Sequence, residues 1–342
     1  METHRIAVIG LSHDHVWSNV EELLCLPHAE IVGAADPDAE LRAKFAETHE
    51  VPTYETPEAL LDSDAGITAV YIFGNNREGE DLAVLACERG LPFLIEKPLA
   101  STRAGAERVA AAAEQAGVIG MVNWPFTWWP KLQRAIGLAQ SGDIGEIWQV
   151  KYRAAHCGPV ELGCSKQFSA WLYDETLNGA GALMDYCCYG SVLADVLLGL
   201  PETVTGVKIS TGQKPDLSLE DNAILVMNYG NKLATTEASW TQIGHLTSYE
   251  TVIYGTEGTL FVERDYSGRL MKATHDEPNG VEVDVPELPQ HLWTASANFL
   301  AALNAGDAGL IHPLCRIEHA RHAQWILEAG IESAKAGSAV GI

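Results

Sequence analysis

The chain has 342 residues, enough for two packed domains of ordinary size. Hydrophobic residues make up 47% and charged ones 20%, which excludes disorder as the main state. Lys plus Arg total 22 against 46 Asp plus Glu, and the formal charge of −24 repels nucleic acid and anionic membrane surfaces alike.

Ile6–Ile9 follows the first residues directly; it is too short for a secretory h-region and reads as a strand. Further apolar runs lie at Ile31–Ala35, Ala69–Phe73, Pro92–Ile95 and Val118–Val122. Between them, Val16–Leu26, Ala39–Glu47, Glu78–Arg89 and Thr102–Ala116 carry apolar residues at helical spacing. Short strands that are apolar throughout, alternating with helices, predict a doubly wound parallel sheet covered on both faces. Asn123-Trp-Pro-Phe-Thr-Trp-Trp-Pro130 interrupts this pattern and sets a domain boundary near residue 122, dividing the chain into 1–122 and 123–342.

A helix over Lys131–Gln140 comes next, then strands at Ile147–Ala155, Thr203–Ser210, Ala223–Asn228, Leu233–Trp240, Glu250–Tyr254 and Thr259–Val262. A single long helix is expected over Ala180–Leu198, and Trp293–Asn304 and Pro313–Lys335 close the chain. Successive strands with short turns make the second domain α+β on a mostly antiparallel open sheet, with the last helix packing back on the first domain. No apolar stretch reaches the ~18 residues of a membrane span. Seven scattered cysteines, odd in number and without a CxxC, read as reduced thiols of a soluble cytoplasmic chain.

Gly10 ends the first strand, where a dinucleotide-binding turn begins. The G-x-G-x-x-G spacing is reduced to Gly10-Leu-Ser12-His13-Asp-His15, with Ser12 small enough for close approach of a pyrophosphate and His13 a candidate phosphate contact. The helix start there still favours an anion. Asp36 ends the second apolar run, 26 residues after Gly10; a carboxylate so placed accepts from ribose hydroxyls and repels a 2′-phosphate, favouring NAD over NADP. His13 with His15, and His319 with His322, raise the question of a metal, but neither pair has a third ligand visible in the sequence, so no metal is expected.

At Glu96-Lys97-Pro98 an acid, a base and a proline end a buried strand at the carboxyl edge that faces the ligand crevice. With Ser141-Gly-Asp-Ile-Gly-Glu146, Trp171…Asn178-Gly-Ala-Gly-Ala-Leu-Met-Asp185-Tyr-Cys-Cys-Tyr189-Gly and Phe299-Leu-Ala-Ala-Leu-Asn…Ala329-Gly-Ile-Glu-Ser333, it resembles the Gfo/Idh/MocA oxidoreductases over nearly the whole chain. The resemblance implies an N-terminal Rossmann domain, NAD as cofactor, and a partner subunit on the open sheet, hence a homodimer or homotetramer. It also implies that Glu96 and Lys97 line the cofactor site, that Asp185 belongs to the substrate site, and that Asn76 holds the family's asparagine position. Tyr189 stands where many members carry histidine and matches the tyrosine branch, with that phenol as acid/base. A neighbouring Lys97 ammonium is expected to lower the phenol's pKa.

His156 at a strand end, with Trp124 and Trp171, completes the set of expected substrate contacts, since indoles stack on sugar rings. Cys187 and Cys188 read as buried small hydrophobes rather than nucleophiles. The expected activity is hydride transfer between NAD(H) and a secondary alcohol or ketone of a sugar, cyclitol or glycoside. Two alternatives on the same scaffold are an NAD-assisted glycosidase or lyase, and a non-catalytic NAD-sensing regulator.

Overall fold

The computed structural model describes residues 3–263 and 268–342. Strands β1 (His4–Ile9), β2 (Ala29–Ala35), β3 (Thr53–Tyr54), β4 (Ala69–Ile72), β5 (Phe93–Glu96) and β6 (Gly120–Asn123) form a parallel sheet in the order β3-β2-β1-β4-β5-β6. Helices α1 (His15–Leu24), α2 (Ala39–His49), α3 (Pro57–Leu61), α4 (Asn76–Glu88) and α5 (Arg103–Ala116) link successive strands. β4 and β5 are buried at every residue, because helices cover both faces.

Asp38, Thr56, Asn75 and Thr102 begin their helices by accepting backbone N–H groups of the first turn. α1 lacks such a cap: the Asp14 carboxylate instead accepts the N–H of Ser165, at 2.7 Å, from the second half of the chain. The strand order reverses between β1 and β4, and there Gly10 (φ +75°) lies so close to Gly74 that a Cβ would come 2.4 Å from its nitrogen.

The second half holds α6 (Pro130–Gln140), β7 (Ile147–Ala155), α7 (Lys166–Leu172), α8 (Glu175–Asn178), α9 (Cys188–Leu198), β8 (Thr203–Ile209), β9 (Asn222–Asn228), β10 (Leu233–Ser239), β11 (Tyr249–Gly255), β12 (Gly258–Glu263), β13 (Leu270–Thr274), β14 (Val281–Glu282), α10 (Ala295–Ala305), α11 (Ile317–Ala336) and β15 (Val340–Gly341). Among the described residues its sheet has nine strands in the order β14-β13-β12-β11-β7-β10-β9-β8-β15, antiparallel except where β10 runs parallel beside β7. α9 and α11 pack on this sheet, and α11 also lies along α5: Trp325 donates to Glu107 at 2.7 Å, and the Arg103 N–H donates to Glu328 at 2.9 Å. The last helix therefore ties the two halves together.

The long helix expected over Ala180–Leu198 is not uniform. Leu183–Cys187 is a π-helical turn, and regular α-helix begins only at Cys188. A wide turn frees carbonyls from the α ladder, and each needs a new partner. At the junction with α9 the Cys187 carbonyl also accepts from Ser191 Oγ (2.9 Å) and Thr236 Oγ1 (3.3 Å). Gly190 lets α9 press onto β10; a Cβ there would lie 2.3 Å from Thr236 Oγ1. The sequence also led us to expect no apolar stretch long enough to span a membrane. The helical region Glu175–Leu198 does meet that measure, in an 18-residue window of mean hydropathy 1.3, but 83% of that window is buried inside the protein.

Candidate active site

Three side chains from distant parts of the sequence converge below the carboxyl end of β5. Lys97 follows β5 directly, its bond to Pro98 is cis, and it is almost wholly buried. Its ammonium donates to Asp185 Oδ1 at 2.6 Å and to the Asp185 carbonyl, within the π-turn, at 3.3 Å. Trp240 Nε1–H satisfies the other carboxylate oxygen at 3.0 Å. Burial by itself would neutralise both groups. Against it, the Asp185 charge holds the Lys97 ammonium above its ordinary range, and Lys97, with His156 and Trp240, holds the Asp185 carboxyl below its own. This is a buried, hydrogen-bonded ion pair joining the two halves of the molecule.

Tyr189 stands in the first turn of α9 with its ring 5.1 Å from the Lys97 ammonium. Phe126 and Trp124 meet the ring edge-on at 5.0 and 5.7 Å, and Tyr152 stacks on it at 6.0 Å. The expected lowering of its pKa does not occur. Burial, with Cys188 and Tyr152, pushes the phenol well above its usual value. The reason is geometric: the Lys97 ammonium is paired with Asp185 and lies over the ring. Tyr189 is a protonated phenol.

Lys97, Asp185 and Tyr189 share a cavity of about 260 Å³. Phe126, Trp129 and Phe168 form apolar walls, while Tyr152, Tyr186, Tyr249 and His156 bring polar edges. Tyr186 and Tyr249 link hydroxyls at 3.0 Å. His156 Nδ1 accepts the Gly158 N–H at 2.7 Å, which leaves the ring proton on Nε2. Burial, aided by Lys214 and Lys97 and opposed by Asp185, lowers its pKa to about 4, so this imidazole is a neutral donor.

The nucleotide side is tighter. His15 Nδ1 lies 3.0 Å from Glu96 Oε1, and Asn123 donates to Oε2 at 2.8 Å, so Glu96 is fully engaged. His13 Nδ1 accepts the His15 N–H at 3.2 Å; among the described residues its Nε2 is buried without a partner, as is Ser12 Oγ. Burial, His15 and Lys97 hold the His13 ring neutral. Asp36 ends β2 as expected, accepting from the N–H groups of Leu11 (2.6 Å) and Asp38 (2.7 Å). Asn76 is turned elsewhere: its amide donates to Asn178 across the domain junction, at 2.8 and 3.1 Å.

An NAD pyrophosphate takes hydrogen bonds from N–H and O–H donors at a helix start, and the orphaned groups at Ser12 and His13 supply them, so the donor set fits. Space is the constraint. The crevice between His13, Gly74–Asn76 and Lys97–Pro98 admits no water-sized guest, and α7 sets Phe168 against His13 at 4.5 Å.

Two expected substrate contacts are corrected. Trp124 is fully buried behind Tyr189 and does not reach the cavity, because it follows β6 into the core between the sheets. Trp171 closes on the glycine turn instead, donating to the Ser12 carbonyl at 3.2 Å and facing His13 at 5.6 Å. Trp240, Tyr152, Tyr186 and Tyr249 escaped the sequence reading; only Tyr186 carried a signal, its adjacency to Asp185. Cys187 and Cys188 are buried, and burial raises both thiols, which disfavours a nucleophilic role.

Residues 4–124 match the model of the oxidoreductase family with an NAD-binding Rossmann fold, and residues 132–261 match the GFO/IDH/MocA C-terminal domain. The chain belongs to the GFO/IDH/MocA family, NAD(P)-binding oxidoreductases acting on CH–OH groups. It is 26% identical, over 90% of both chains, to dTDP-3,4-didehydro-2,6-dideoxy-alpha-D-glucose 3-reductase of Streptomyces antibioticus. It is 25% identical to trans-1,2-dihydrobenzene-1,2-diol dehydrogenase of Xenopus tropicalis, over 69% of this chain and 68% of that one. An oxidoreductase from Agrobacterium radiobacter, solved with NAD+, L-tartaric acid and magnesium, superposes with a TM-score of 0.82 at 20% identity, covering 99% of this chain and 98% of the other.

Proposed function

We propose that this chain transfers a hydride between NAD(H) and a secondary alcohol or ketone of a sugar, cyclitol or glycoside, with Tyr189 as the acid/base and Lys97 and Asp185 orienting the carbinol oxygen. The observation that carries this reading is the meeting of those three groups at one cavity beneath the Rossmann crevice. The cavity is at the small end of ligand sites, which usually run ~300–1,000 Å³, and so supports a single-ring substrate. Trp129 offers a stacking surface for a ring. Ser12 and His13 would hold the pyrophosphate, and Asp36, as an acceptor for ribose hydroxyls, would favour NAD over NADP.

The nicotinamide, when bound, supplies the hydride chemistry. Proton handling falls to the chain. Tyr189 is held protonated, so in the reductive direction it donates to the oxygen that is becoming an alkoxide. Lys97 keeps its positive charge beside that oxygen and stabilises the developing negative charge. His156 adds a neutral Nε2–H donor at the same cavity. The reverse direction requires phenolate, so alcohol oxidation speeds up as pH rises above neutrality. The free cysteines suit a reducing cytoplasm. Val207, Ile209 and Ile224 stand exposed on the second sheet, supporting a homodimer or homotetramer that covers them.

A panel of sugars, polyols and ketosugars, monitored through NADH absorbance, tests the reading. Tyr189→Phe should lower turnover by about 10²–10⁴-fold while NAD binding persists. Unchanged turnover in that variant overturns the role of Tyr189, and cleavage of a glycoside without net NADH change overturns simple dehydrogenation.

A further inference from the structure

Far along α9 from Tyr189, a second polar cluster forms where that helix meets α11. Asp195 is almost fully buried on α9. Its Oδ2 lies 2.6 Å from His319 Nδ1 and 3.1 Å from His322 Nδ1, and its Oδ1 lies 3.2 Å from His322 Nδ1. The histidines stand at i and i+3 in the first turns of α11, on one face of that helix. The three ligating atoms all lie within 4.8 Å of one another. The sequence supplied the two imidazoles and withheld the third ligand; the fold brings it from 124 positions earlier.

The chemistry of the set is specific. Two imidazole nitrogens and one carboxylate oxygen are borderline donors, suited to first-row transition cations and unsuited to Mg²⁺ or Ca²⁺, which prefer all-oxygen sites. A histidine pair on one helix facing a carboxylate on its neighbour is also how helical bundles build metal centres. Both imidazoles keep partial exposure, 23% and 17% of the side chain, so an ion has a way in while the carboxylate stays shielded.

A similar trio, His13, His15 and Glu96, lies in the crevice, but it is poorly placed for a cation. Glu96 is already engaged by Asn123 and His15, and the Lys97 ammonium is close enough to act on His13. At Asp195 the acting groups besides burial are the two histidines themselves.

We propose that Asp195, His319 and His322 bind a divalent first-row transition cation such as Zn²⁺. Ligands around one such ion sit ~3.3 Å apart when their bonds are ~2.0–2.1 Å, so the 2.6 Å contact opens slightly on binding. In the metal-free chain each Nδ1–H donates to the Asp195 carboxylate; on binding, that proton shifts to Nε2 and each imidazole ligates through Nδ1. The ion then clamps α9, which bears Tyr189, to α11, which leans on α5 of the nucleotide half.

The test is titration of the full chain with Co²⁺, read by its visible d–d absorption, and thermal unfolding with and without Zn²⁺. One saturable Co²⁺ site is expected, together with a Tm that rises on adding Zn²⁺. Asp195→Asn, and the pair His319→Gln with His322→Gln, should each weaken Co²⁺ binding by at least about tenfold and abolish the Tm rise. If the double variant fails to fold, Asp195→Asn alone decides. The proposal is overturned if the unaltered protein shows no Co²⁺ band, if these variants bind as tightly as it does, or if binding is lost instead on replacing His13 and His15. None of these readouts depends on turnover.

Discussion

Asp185 and Asp195 lie ten residues apart on one continuous helical stretch, and both are buried anions, yet their surroundings give them different tasks. Asp185, in the π-turn, is matched by a lysine from the other half of the molecule and by an indole N–H. Asp195, near the end of α9, is matched by two imidazoles from one helix. Lysine keeps its charge across the whole working pH range, so the first pair is a fixed element facing the cavity. Imidazole nitrogens are ligands for transition cations, so the second cluster is open to an ion in a way the first is not. What an aspartate does here is decided less by its own burial, similar in both, than by which cation the fold delivers to it.

Removing that cation is the strongest way to break the comparison. Lys97→Met leaves the Asp185 carboxylate buried and unpaired, which should cost about 3–5 kcal/mol in chemical denaturation and remove turnover. Adding Asp185→Leu should restore much of the stability and none of the activity; a double variant as unstable as the single one would show that the pair is not the source of the loss. The corresponding change at the other site should be milder. Asp195→Ala is expected to cost about 1–3 kcal/mol, because its partners are partly exposed and can turn to water.

The pH dependence sharpens the contrast. Asp195 has its carboxyl held below the ordinary ~3.9 by His319 and His322, against burial, so its stabilisation is complete above that value and is lost as pH falls through the lowered folded value. Asp195→Asn should remove that acid limb from a plot of stability against pH, and an unchanged limb would refute the assignment. A second pH effect belongs to His156, which Asp185 acts on. Its folded pKa of about 4 lies below the ordinary ~6.5, so the unfolded chain takes up an extra proton between those values and stability declines as pH falls through that window. His156→Gln should flatten that slope measurably, while leaving stability at higher pH nearly unchanged.

The nucleotide half was legible because its signals are local. Ile6–Ile9, Ala69–Phe73 and Pro92–Ile95 each announce a strand by unbroken apolarity, and the structure places β1, β4 and β5 there within about two residues at each end. The two-residue β3 and the short α7 and α8 carried no periodic signal and went unread. The strands of the second half could be read singly, but their order could not, since pairing β7 with β10 depends on everything between them. At the site, Lys97, Asp185 and Tyr189 were marked by motif. The protonation of Tyr189 was not, because it depends on Asp185 having already claimed the lysine's charge, a three-body fact no spacing encodes. Trp124 and Trp171 misled for a related reason: composition shows an indole near a pocket but not the direction in which the chain turns it.

The side-by-side parallel seating of β7 and β10 also bears on how quickly the protein can assemble. Gln149 must find Leu233 across roughly eighty intervening residues, and that excursion contains the whole helical stretch bearing Asp185, Tyr189 and Asp195. Closing so distant a contact carries an entropic penalty that must be met before the pairing gives anything back. The catalytic lobe should therefore gain its native order late in refolding, after the locally encoded nucleotide lobe, and a nascent chain stopped short of β10 would hold its key acids in an unfinished sheet.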